Sequence, residues 1–254
     1  MPTRRASSFG LRYHLRTMDH WELIESVTVP DSGGTMRLMR NGGEFAIHVD
    51  ERELMRNSMH GSEEALSELA CDRLCDVAAP RVLIGGLGMG FTLAALLRRF
   101  GDDGQAVVAE LVPAVVRWNR GVLGQVAGYP LRDARASIYE GDVGDMIRQP
   151  PALWDAILLD VDNGPTGLTR GGNNWLYSWQ GLEAAFRALN PQGILAVWSA
   201  APDSGFTRRF ERAGFTVECV DFRARGSQGG RHHVIWLGCR REQGPKWQEK
   251  QRRY

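Results

Sequence analysis

Nowhere in the 254 residues does an apolar run reach the roughly 18 that a membrane-spanning helix needs. No apolar core follows Arg4-Arg5 to make a secretory signal either. A cytoplasmic protein with no membrane partner is the expectation. Cysteine is scarce: of four, Cys71 and Cys75 stand one helical turn apart, while Cys219 and Cys239 fall in separate predicted strands. That spacing makes no metal motif and predicts buried free thiols in a reducing compartment. His232-His233 adds no metal site, because neighbours along a strand point to opposite faces and no third ligand is evident. Net charge is lacking too, at +1, so the overall balance gives no reason to expect nucleic acid. Basic residues crowd the ends instead, with Arg4, Arg5, Arg12 and Arg16 at the start and Arg240, Arg241, Lys246, Lys250, Arg252 and Arg253 at the finish. Both ends read as solvated tails. The first eighteen residues hold no acid, a composition shared with organelle transit peptides, although a plain basic extension accounts for it. Ser199, near a strand end, lacks the G-x-S-x-G elbow of a hydrolase. There is no internal repeat and no low-complexity segment.

What the chain has is an ordinary soluble composition, 43% hydrophobic and 24% charged, with length for one large α/β domain and a small appendage. Its most informative stretch is Arg81-Val82-Leu83-Ile84-Gly85-Gly86-Leu87-Gly88-Met89-Gly90-Phe91. An apolar run ends in four glycines within six positions and passes directly into an apolar-periodic helix. A buried parallel strand turning into a ligand-facing helix reads this way. Dinucleotide folds want G-x-G-x-x-G around a pyrophosphate. Gly86, Gly88 and Gly90 instead give G-x-G-x-G, with Phe91 in the place of a final glycine. That spacing is similar to the S-adenosylmethionine loop of class I methyltransferase folds, whose ligand has no pyrophosphate. Met89 and Phe91 are expected to pack the loop.

Before this loop the text is β: Trp21 to Val29, Thr35 to Arg40 and Glu44 to Val49, with turns at Asp31-Ser32-Gly33-Gly34 and Asn41-Gly42-Gly43. Three short strands need something to pack on. A helix is predicted from near Ser62, ending before Pro80, with Glu63 and Glu64 in its dipole-favoured first turn. After the loop, strands and helices alternate as in a parallel sheet covered on both faces. Strands are predicted over 105–110, 137–140, 154–159, 194–198, 217–221 and 233–239. Helices are predicted from Pro113 to Gly121 or Gly124, from Asp142 to Arg148, over 178–189 and over 204–213. The segment from Thr166 to Asn174 reads as a loop over the carboxyl ends of the strands. The chain thus divides into a basic extension (1–20), a β meander (21–61), the α/β domain (62–241) and a basic tail (242–254).

In open α/β sheets ligands sit outside the carboxyl ends of the strands, where strand order reverses. Three acids end consecutive strands there: Glu110, Asp142 and Asp160. Glu110, twenty residues past Gly90, suits the two hydroxyls of a ribose. Asp142 can accept from the exocyclic amine of adenine or merely cap the next helix. Asp160 can face the reacting end or bond its own loop backbone. Three such acids in register favour a site over coincidence. Trp175, Tyr177 and Trp179 either surround a cation or anchor the core at a helix start.

At these motifs the chain resembles the spermidine synthases, which use a class I methyltransferase-like fold. The family reads GGGDGG at the first loop, an acid after the second strand, Gly-Asp-Ala after the third and Asp-Ser-x-Asp-Pro-x-Gly-Pro after the fourth. This chain has Gly85-Gly86-Leu87-Gly88-Met89-Gly90, Glu110, Gly141-Asp142-Val143 and Asp160-Val161-Asp162-Asn163-Gly164-Pro165. The resemblance runs from the β meander to Arg240 and is strongest from Arg81 to Trp198. It implies a seven-stranded, mostly parallel sheet with a small N-terminal β region, and a homodimer through the meander. It also implies aminopropyl transfer from decarboxylated S-adenosylmethionine to a small amine, without metal. Gly85, Gly86, Gly88, Gly90, Glu110 and Asp142 would then hold the donor, and Asp160 would orient or deprotonate the acceptor. Asp162, Asn163 and Tyr177 are further candidates for acceptor contact. Three departures stand out. Gly88 replaces the family's loop aspartate, which removes a carboxylate that would repel intact S-adenosylmethionine. Ser62-Glu63-Glu64 stands near the family's tyrosine-histidine-glutamate stretch. The loop after Asp160 is two residues shorter before its Gly-Pro. A methyltransferase using the intact donor is therefore the alternative reaction, and a non-catalytic nucleoside-binding relative the alternative class.

Overall fold

The computed structural model describes residues 20–30, 32–74, 77–149, 154–161, 164–166, 175–223 and 232–241. Cys75, Asp162, Asn163, most of the 166–174 loop and the basic tails, apart from Arg240 and Arg241, lie outside them. The N-terminal sheet has four antiparallel strands rather than three: β1 (Glu22–Thr28), β2 (Thr35–Asn41), β3 (Glu44–Val49) and β4 (Arg52–Arg56), in that spatial order. The unforeseen β4 follows a two-residue turn, with Val49 paired to Arg52 and Asp50 at φ 52°. That turn lacks the glycine which marks hairpins in sequence, because Asp is among the few side chains that tolerate left-handed backbone. Its carboxylate accepts from Thr35 N at 2.8 Å and holds the turn in place.

Helix α1 (Gly61–Cys71) ends well before Pro80. Then come β5 (Arg81–Gly85), α2 (Phe91–Arg99), β6 (Gln105–Glu110), α3 (Pro113–Arg120), β7 (Ala136–Glu140), α4 (Val143–Arg148) and β8 (Trp154–Leu159). The chain continues through α5 (Trp179–Ala188), β9 (Leu189–Ser199), α6 (Ser204–Arg212), β10 (Phe215–Arg223) and β11 (His232–Arg240). The second sheet has seven strands in the order β10-β11-β9-β8-β5-β6-β7. It is parallel from β7 to β9, and β11 is inserted antiparallel between β9 and β10. The β8–β9 pairing breaks after Trp154–Leu189 and resumes at Ala156–Ile194, so Asn190-Pro191-Gln192-Gly193 bulges out, with Gln192 at φ 65°.

Strand β8 is buried almost throughout, as a central parallel strand must be when helices cover both faces. Its alternate residues feed two cores. Ala156 and Leu158 join Leu66 of α1, Leu93 of α2 and Leu38, Phe45 and Ile47 of the N-terminal sheet. Ile157 and Leu159 join Leu182, Phe186, Phe206 and Trp236 on the opposite face. The N-terminal sheet thus shares a core with the α/β sheet. Glu25 of β1 fastens the two, accepting from Trp118 Nε1 at 2.6 Å and from Arg117 of α3.

Candidate active site

Strand order reverses between β5 and β8: from β5 the chain steps to β6 and β7 on one side, then returns to β8 and β9 on the other. Register sets the strand ends level. Gly85 pairs with Ala109 and with Leu159, and Glu110 pairs with Glu140. The residues just beyond are clamped by backbone bonds, Gly86 N to Ala109 O at 2.9 Å, Gly141 N to Glu110 O at 2.9 Å and Asp160 N to Gly85 O at 3.0 Å. The loop glycines, Glu110, Asp142 and Asp160 are therefore brought together at the switch point, where α/β sheets bind ligands.

The loop can approach only without side chains. Gly86 has φ 89°, and a Cβ there would lie 2.4 Å from Asp160 O. Gly88, at φ 52°, lies under Met55 of β4, whose Cε and Sδ would be 2.7 and 3.0 Å from a Cβ. Gly86 and Gly88 line the cleft. Gly85 and Gly90, expected to hold the donor as well, do not line it: Gly85 is pressed against Val143 and Leu159, and Gly90, at φ 85°, caps α2 against Asn119 and Pro130. Met89 and Phe91 are buried, with Phe91 stacked on His60 at 4.1 Å.

The cleft measures about 740 Å³, in the usual range for a small-molecule site. Glu110 is buried, with Oε2 accepting from Leu87 N and Oε1 from Val112 N, both at 2.8 Å. Burial pushes its carboxyl up, while the N–H groups of Val112, Leu87, Gly88 and Leu111 pull it back. Asp142 caps α4, accepting from Gly144 N at 2.7 Å, and it also lines the cleft. Asp160 Oδ2 accepts from Thr92 Oγ1 of α2 at 2.8 Å. Burial raises its carboxyl to about 6, against that hydrogen bond.

Two walls of the cleft went unrecognised in the sequence. One is β4, which contributes Arg52, Met55 and Arg56. The other includes Trp198 at the end of β9 and His233 of β11, whose rings meet edge to face at 4.9 Å. Glu63 is a further addition: 8% exposed, it lines the cleft and accepts from Ser62 Oγ at 2.7 Å. Burial, then the neighbouring Asp160 charge, push its carboxyl up to about 7, opposed by Ser62. Its signal was present, since Glu63, Leu66, Ser67 and Ala70 follow the spacing of a buried helix face.

Tyr177 is 4% exposed and packs edge to face on Phe206 in the core. It does not line the cleft; its hydroxyl donates to the carbonyl of Val161, a residue that does. Trp175 carries the Arg148 guanidinium over its ring at 3.7 Å. Among the described residues no cluster of three or more side chains suits a metal, and no helix is long and apolar enough to cross a membrane. Cys71, Cys219 and Cys239 are free thiols.

No family model matches the chain, and no curated protein matches it. Solved structures do. A spermidine synthase in complex with the transition state analogue AdoDATO superposes with a TM-score of 0.67 and 19% identity, over 86% of this chain and 72% of that one. The spermidine synthase from Thermotoga maritima gives the same values. The fold is therefore the Rossmann-like class I methyltransferase fold with a small N-terminal sheet, in the arrangement of the spermidine synthases.

Proposed function

We propose that the protein is a transferase that takes an S-adenosyl donor and passes its aminopropyl group to an amine. The observation that carries this is the placement of Glu110, Asp142 and Asp160 around one glycine-lined cleft, each at the end of a successive strand. Glu110 takes the ribose hydroxyls, Asp142 the adenine amine, and Asp160 faces the sulfonium end. An ammonium has no lone pair, so the acceptor must lose a proton before it attacks. A carboxyl held near 6 by burial and fixed by Thr92 is suited to accept that proton close to neutral pH. The spermidine synthase of matching fold binds AdoDATO, which supports an adenosyl donor.

One observation favours methyl transfer from intact S-adenosylmethionine as a second reading. The family's loop aspartate is Gly88 here, and the space above it is filled by the Met55 thioether. No carboxylate stands at that position to discriminate against the donor's own carboxylate.

Calorimetric titration with S-adenosylmethionine and, separately, with its decarboxylated form tests both. Tighter binding of the decarboxylated donor supports aminopropyl transfer, tighter binding of the intact donor supports methyl transfer, and binding of neither rejects the donor site.

A further inference from the structure

Glu63 is not required by the donor site, yet it is buried beside it. It stands in the first turn of α1, where the helix dipole favours negative charge. Ser67, one turn on, donates to the carbonyl of Thr92 at 2.6 Å, and the Thr92 hydroxyl holds Asp160. Helices α1 and α2 are thereby locked so that Glu63 and Asp160 open into the same cleft, close enough to repel. Nearby, Trp198 and Met59 offer aromatic and apolar surface.

We propose that Glu63 is a second acceptor-binding carboxylate, which with Asp160 captures a primary aliphatic amine in its ammonium form. This rests on Asp160 facing the reacting end of the donor, as proposed above, and applies whichever alkyl group is transferred. In the empty cleft the two carboxyls share a proton, because two like charges in a buried setting ionise stepwise. An entering ammonium replaces that proton with its own charge. It then gives one proton to the pair; the freed nitrogen lone pair forms the new N–C bond as the C–S bond breaks, and that bonding pair returns to sulfur, leaving a neutral thioether. The proton passes from the pair to solvent.

Among the described residues, the other charged groups around the cleft are placed as follows. Glu64, on the same helix, is bound to Arg98 and lies 3.3 Å from His60. On β4, Arg56 is bound to Glu53 and lies near Glu44, and Arg52 is exposed at the cleft wall. His233 lies against Trp198, and Glu110 and Asp142 are engaged by backbone N–H groups.

The test is calorimetry near pH 6.5 in two buffers of different ionisation enthalpy, with n-butylamine and 1,4-diaminobutane, each with and without donor. Wild-type protein should release a substantial fraction of one proton per amine bound. Glu63→Gln should bind amine about tenfold more weakly and release little, with donor affinity within about twofold of wild type. A purely structural Glu63 would not alter proton release. Ser62→Ala, which removes the hydrogen bond to Glu63, should move the release to higher pH, and it serves if Glu63→Gln does not fold. Unchanged amine binding and proton release in these variants, or no amine binding by wild type, overturns the proposal. Loss of donor binding in wild type instead rejects the donor site, and the titrations without donor still read Glu63.

Discussion

Asp160 serves the fold through its backbone and the chemistry through its side chain. Its N–H donates to Gly85 O, while its carboxyl accepts from Thr92. Asp160→Asn keeps the shape and an oxygen for Thr92 but cannot take a proton. Turnover should fall about a hundredfold or more while donor affinity stays nearly unchanged. Calorimetry beside a product assay checks this, and equal loss of both would remove the assigned role. Glu63 carries an expectation about stability. Its folded-state pKa of about 7 lies above the ordinary 4.5, so the native protein holds a proton that the unfolded chain releases. The stability from this proton is complete below the ordinary value and is lost as pH rises through about 7. Glu63→Gln removes the penalty, so its melting temperature should exceed wild type more at pH 8 than at pH 5, by about 3 °C for each kcal/mol regained. A difference between variant and wild type that does not change with pH would count against a buried, protonated Glu63.

Elements whose local chemistry agreed with their surroundings were legible. Strand β8 was readable from Trp154 to Leu159 because a strand buried on both faces is continuously apolar, and the glycine loop because its approach to Asp160 O excludes a side chain. Strand β4 was not, since Arg52-Glu53-Leu54-Met55-Arg56 has no β-branched residue and its turn has no glycine. Its Met55 meets Gly88 only through tertiary packing, which no local pattern reports. That contact yields a prediction about donor choice. Gly88→Asp alone must displace the Met55 thioether, whereas with Met55→Ala as well the aspartate gains room, and Asp tolerates φ 52°. The double variant should shift preference toward the decarboxylated donor by about tenfold, and the single variant by less. Competition calorimetry with the two donors measures the ratio; an unmoved ratio in the double variant would show that position 88 does not select the donor.

At the scale of the whole molecule, the change from β to α text at 61/62 does not divide the hydrophobic core. Leu38 of β2, wholly buried, shares its cluster with Leu66 of α1, Ile84 of β5 and Leu158 of β8. Sequence periodicity placed every strand but β4, yet could not show which sheet lies against which helix, because burial against α1 and burial against a partner subunit demand the same apolar residues. The shared core, with Glu25 bound to Trp118 and Arg117, should make the two sheets unfold together. In urea, far-ultraviolet circular dichroism and tryptophan fluorescence should give coincident single transitions. Leu38→Ala, which leaves a cavity in that core, should cost about 2–5 kcal/mol. It should move the common midpoint without splitting it. Because β4 supplies one wall of the cleft, a ligand that holds the cleft closed should recover part of the loss, about 2.7 kcal/mol at a hundredfold excess over its dissociation constant. A dichroism transition that precedes the fluorescence change, and that added donor does not shift, would mean that the N-terminal sheet melts by itself and that its wall of the cleft is dispensable for binding.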